Sequence, residues 1–175
     1  HENKGLISKK IDCNEGATLE KYEISSFYAS ATTIYLGTRS GELLTCNLTK
    51  KRLTTCEFQN RSVIGVITGN NHGKVYLGTA DNGIFEYNEN TASITNHFLD
   101  ASVPKVLKLF VDSHNLIWVE TNLPGYSMID PLTKTFHHFE QQLDVSKELR
   151  SNAQCGLLED ENHTVWLTLR GGGFG

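Results

Sequence analysis

The side chains most able to do chemistry in this chain are acids and histidines in short polar segments. Asp81, Asp112, Asp130 and Asp160 are the notable acids. Paired carboxylates cleave glycosidic bonds when held at a defined separation, one as acid and one as base or nucleophile. Three of these four fall in turns that recur along the chain, where aspartate serves to accept backbone N–H groups. The reading is therefore structural, and no catalytic residue is assigned. His72, His114 and His163 also sit in equivalent turns, just before an aromatic residue. Metal ligation needs bonds of ~2 Å to one ion, and turns of separate units are expected to stand too far apart for that. No metal site and no cofactor is expected. The pair His137-His138 falls on an outer strand with one side facing solvent. The run Gly171-Gly172-Gly173 lacks the Lys-Ser/Thr of a phosphate loop, and no G-x-S-x-G or H-E-x-x-H motif occurs. The candidate ligand-binding residues are Arg39, Asp81, Asn122 and Arg170, each in the turn after an aromatic strand. Their planar polar groups can hydrogen-bond hydroxyls or acidic substituents.

Composition bounds what must position them. The chain has 175 residues, 38% hydrophobic and 21% charged, with a net charge of −4. That suits a globular domain and gives no clustered positive surface for nucleic acid. Lys50, Lys51 and Arg52 do cluster, in a segment that reads as a solvated hairpin turn. No stretch approaches the ~20 apolar residues of a membrane helix, so no direct membrane contact is expected. Glycine (15) outnumbers proline (3), as tight turns between short strands require. The four cysteines are Cys13, Cys46, Cys56 and Cys155, without C-x-x-C spacing. A turn near Thr49-Lys50 pairs Cys46 with about Leu53. Cys46 and Cys56 are then out of register, and buried free thiols are the expectation.

One phrase recurs. It reads Thr33-Ile34-Tyr35-Leu36-Gly37-Thr38, then Lys74-Val75-Tyr76-Leu77-Gly78-Thr79, then Leu116-Ile117-Trp118-Val119-Glu120-Thr121, then Thr164-Val165-Trp166-Leu167-Thr168-Leu169. The aromatic positions are 41, 42 and 48 residues apart, a blade-sized period. A glycine follows each phrase: Gly41, Gly83, Gly125 and Gly173. An apolar run precedes each, and a further strand, a polar turn and a last strand follow. The expected fold is all-β: a β-propeller fragment of about four blades made of four-stranded antiparallel sheets. Both faces of Ile34-Tyr35-Leu36 and Ile117-Trp118-Val119 are apolar, and stacked blades cover both faces of an inner strand. The expected division is one propeller segment over 1–175. Residues 1–20 would supply the outer strand of a preceding blade, with blades over 21–60, 61–101, 102–142 and an incomplete 143–175. Residues 141–151 could insert a short helical turn.

The unit resembles the two-component regulator propeller repeat. Leu109-Phe110-Val111-Asp112-Ser113-His114-Asn115-Leu116-Ile117-Trp118 and Leu157-Leu158-Glu159-Asp160-Glu161-Asn162-His163-Thr164-Val165-Trp166-Leu167 match its aspartate turn and aromatic strand. Gly83-Ile84-Phe85-Glu86-Tyr87-Asn88 and Ile129-Asp130-Pro131-Leu132-Thr133 match its closing part. Glu120, Thr168 and Leu169 depart from its glycine-threonine pair. The resemblance covers about Ile24 to Gly175. It implies a non-catalytic ligand-sensing segment of the extracytoplasmic, periplasmic region of a two-component sensor histidine kinase. It further implies an oligosaccharide ligand, further blades of the parent chain as partners, and a homodimeric parent receptor. The alternative is a propeller scaffold for protein–protein interaction without a small-molecule ligand.

Overall fold

A computed structural model of the chain describes residues 19–57, 61–70, 72–98, 105–123, 125–139, 156–169 and 173–174. A short 3-10 turn, Leu19–Lys21, leads into four sheets. The first holds β1 (Ile24–Ala29), β2 (Thr33–Thr38), β3 (Glu42–Asn47) and β4 (Arg52–Glu57), in that order. The second holds β5 (Ile64–Gly69), β6 (Lys74–Thr79), β7 (Ile84–Asn88) and β8 (Ser93–Phe98). The third holds β9 (Val106–Val111), β10 (Ile117–Thr121), β11 (Tyr126–Asp130) and β12 (Thr135–Phe139). The fourth holds three strands: β13 (Leu157–Glu159), β14 (Val165–Leu169) and β15 (Gly173–Phe174). All neighbours are antiparallel, and the first strands β1, β5 and β9 pack side by side. This is the all-β blade architecture that the repeat predicts.

The hydrophobic cores lie between sheets. Tyr35 and Leu43 of the first sheet pack with Ile64, Ile67, Val75, Leu77 and Tyr87 of the second. Tyr76, Ile84 and Phe98 of the second pack with Val106, Leu109, Ile117, Val119 and Ile129 of the third. The second sheet therefore contributes to the core on either side, which is why its second strand, β6, is apolar on both faces. The recurring aromatic sits at the same place in each second strand. Tyr35 and Tyr76 are fully buried, Trp118 is half-buried against Phe139 with ring centroids 6.0 Å apart, and Trp166 is 38% exposed. Gly41, Gly83 and Gly125 all have positive φ, the conformation that suits glycine after each phrase.

The hairpin register is the expected one, with Cys46 opposite Leu53. The thiol expectation is corrected in part: Cys46 is disulfide-bonded, while Cys56 is free. Local register excludes only the local partner, and the other half of the Cys46 bond lies outside the described residues. Burial pushes the half-buried Cys56 thiol up from its ordinary value. Also outside the described residues are the predicted strand near 5–11, the predicted helical turn over 141–151, Cys13, Cys155, Arg170 and Gly171-Gly172.

Candidate functional site

Antiparallel meanders put their turns at two rims. At one rim, the segment after each second strand is tied to the chain just before its own sheet. Arg39 N–H donates to Glu23 O at 2.9 Å, Ala80 N–H to Val63 O at 3.0 Å, and Asn122 N–H to Lys105 O at 3.2 Å. Three of the predicted ligand residues stand here. The Arg39 guanidinium lies 2.6 Å from the Glu23 carboxylate, both well exposed. Asp81 accepts a hydrogen bond from the buried Ser62 hydroxyl. Asn122 is exposed. Arg39 and Asp81 are engaged within their own blades, and Arg170 lies outside the described residues.

At the other rim, a polar residue holds each first turn. Asn70 Oδ1 accepts from the N–H groups of His72 and Lys74 at 3.0 and 3.1 Å. Asp112 Oδ1 accepts from His114 and Leu116, both at 2.9 Å. Asp160 Oδ1 accepts from Asn162 and Thr164 at 2.9 and 3.0 Å. The second carboxylate oxygens of Asp112 and Asp160 accept the indole N–H of Trp118 and Trp166 at 2.8 and 2.7 Å. The aspartates thus serve turns, as read from their positions.

The seams between sheets are also bonded along this rim. Asn70 Nδ2 donates to Asn115 Oδ1 at 3.1 Å. Ser113 donates through both its N–H (2.9 Å) and its hydroxyl to Glu159 of the next sheet. The Ser113 bonds, first its hydroxyl, hold the Glu159 carboxyl below its ordinary range. Two of the three turn histidines stand closer than their separate units suggest. The His114 and His163 rings meet edge to face with centroids 6.0 Å apart, because adjacent blades converge at the seam. Among the described residues no group of three or more His, Cys, Asp or Glu side chains could hold a metal ion.

The same rim carries a half-open cavity of about 210 Å³ between the first and second sheets. Its walls are Thr33, Tyr35, Thr45, Asn47 and Thr54 of the first sheet, with Lys50 and Arg52 at the β3–β4 hairpin. Tyr87, Glu89 and Ala92 close it from the second sheet. Thr33 Oγ donates to Glu89 Oε1 at 2.7 Å across the seam. The Tyr35 hydroxyl is buried and makes no hydrogen bond of proper geometry, although Glu89 and Thr33 lie beside it. Burial, with Glu89 adding to it, pushes the Tyr35 phenol up. Burial does the same to Tyr87. None of these residues except as turn or strand formers stood out in the sequence. The one local signal was the Lys50-Lys51-Arg52 cluster, which taken by itself describes only a hairpin.

No family profile and no curated protein matches the sequence. Solved structures do. The extracellular domain of BT3049 from B. thetaiotaomicron, assigned as a hybrid two-component system, superposes with a TM-score of 0.58 at 20% identity over 83% of this chain and 18% of its own. An inactive virginiamycin B lyase from Staphylococcus aureus with quinupristin gives 0.68 at 14% identity, over 87% of this chain and 50% of its own. The computationally designed Ika4 protein gives 0.63 at 13% identity, over 94% of this chain and 100% of its own. The fold is that of a β-propeller. The chain spans less than a fifth of the BT3049 domain. Among the described residues no helix is long and apolar enough to cross a membrane.

Proposed function

We propose that this chain is a non-catalytic ligand-sensing segment from the extracytoplasmic region of a two-component receptor, with an oligosaccharide as its ligand. The observation that carries the reading is the repeated Asp-turn-Trp unit, Asp112 with Trp118 and Asp160 with Trp166, in a fold similar to the BT3049 extracellular domain. The Cys46 disulfide supports an oxidising compartment such as the periplasm. The acids most suggestive of catalysis, Asp112 and Asp160, are occupied with turn amides and indoles, which supports a binding role. Arg39, Asp81 and Asn122 at one rim, with Arg170, are the proposed contacts for an extended ligand. A ligand shifts receptor output only through unequal affinity for the two output states.

The test is autophosphorylation of the intact parent receptor in membrane vesicles across a panel of neutral and acidic oligosaccharides. The expected result is a response to one glycan class, lost when this segment is deleted. A receptor whose output ignores every glycan, or responds equally without the segment, overturns the reading.

A further inference from the structure

We propose that the cavity between the first and second sheets binds a small hydroxylated carboxylate, of the chemistry of a sugar acid. The argument begins with charge. Lys50 and Arg52 both line the cavity, and neither side chain has an ion-pair partner among the described residues. The lining carboxylate, Glu89, is already engaged by the Thr33 hydroxyl at 2.7 Å. Against the single Glu89 carboxylate the two cations leave the lining one positive charge in excess, which attracts an oxyanion. A guanidinium offers a planar fork matched to a carboxylate.

The remaining wall selects for hydroxyls. Thr45, Thr54 and Tyr87 present hydroxyl groups that both donate and accept. Asn47 has its carbonyl oxygen committed to the N–H groups of Thr49 and Lys50, at 3.1 and 2.8 Å, which leaves its amide N–H₂ to donate. The buried Tyr35 hydroxyl adds a polar group without a hydrogen bond of its own. Ala92 is the sole aliphatic residue of the lining, so an apolar ligand would find little to cover it. The volume of about 210 Å³ lies below the ~300–1,000 Å³ of sites for drug-sized ligands. It admits one compact unit, either a free acid or the acidic end of a longer chain. The site stands on the rim opposite Arg39, Asp81 and Asn122. It extends the sensing reading to a named place and rests on that reading only for its purpose.

The test is calorimetry on the full chain with galacturonate, galactose, inorganic sulfate and digalacturonate. Galacturonate is expected to bind at least about tenfold more tightly than galactose, which lacks the charge, and than sulfate, which lacks the ring hydroxyls, since a charge-assisted hydrogen bond carries about that factor. Arg52→Gln and Lys50→Gln, both at exposed positions, should each weaken galacturonate about tenfold with the circular dichroism spectrum unchanged. Digalacturonate binding more tightly than the monomer assigns the site to a chain end, and weaker binding assigns it to the free acid. Equal affinity for galacturonate and galactose, no binding of any probe, or unchanged binding in both folded variants overturns the proposal. Calorimetry reads this binding without the receptor, so its failure and a silent receptor output are separate results.

Discussion

A methyl group placed on Gly37 would fall 2.5 Å from Ser26 Oγ and 2.7 Å from Ile64 Cγ2, and one on Gly78 would fall 2.6 Å from both Val106 Cγ1 and Val66 Cγ1. Ile64 and Val106 belong to the following sheet in each case, so these glycines set how closely two blades approach. Gly37→Ala and Gly78→Ala are each expected to cost about 1–3 kcal/mol, the range for overpacking. Gly65→Ala, whose methyl would have nothing nearer than 3.9 Å, serves as the neutral comparison in urea denaturation. Asp112 is a second sensitive position, buried and accepting from two amides and one indole. Asp112→Ala should cost about 1–3 kcal/mol by leaving three part-buried donors without their acceptor, again measured by urea denaturation. The turn aspartates were legible in the sequence because each acts within its own repeat unit. Lys50, Arg52 and Glu89 were not legible as a group, since the cavity exists only where two units some forty residues apart meet. The same is true of His114 and His163.

Among elements, the turns of the third and fourth sheets carry acid sensitivity. Asp130 is held below the ordinary carboxylate range, first by the Leu132 N–H, and Asp160 likewise, first by the Trp166 indole. A carboxylate whose value is depressed in the folded state favours folding above its unfolded value of ~4, and that contribution is lost as pH falls through the folded value. Glu159, depressed through Ser113, adds a bond between sheets to the same balance. Below pH ~4, protection from amide exchange, taken relative to the intrinsic rate at each pH, should fall at Leu132 and Thr164, and at Ser113 across the seam, before it falls in β2 and β6. Asp160→Asn should remove that acid response at Thr164. Uniform exchange across all strands between neutral and acid pH would contradict it. The strands themselves were readable because the same aromatic phrase and turn chemistry recur with each sheet.

For the molecule as a whole, the cores lie between sheets, so each sheet is held mainly by its neighbours. Arrays of this kind gain stability from nearest-neighbour interfaces and can lose cooperativity along their length. The chain holds two tryptophans, and both are chained by their indole N–H to an aspartate, one in the third sheet and one in the fourth. Their emission therefore reports on the later half alone, whereas far-ultraviolet dichroism averages over every strand. If the array melts stepwise, the emission midpoint in urea will fall below the dichroism midpoint, because Trp166 sits at 38% exposure while Tyr35 and Tyr76 are sealed. Superimposed curves would instead mark a single cooperative transition. Two indoles anchored in one half of the blade array give the protein a built-in optical gauge of which end lets go first.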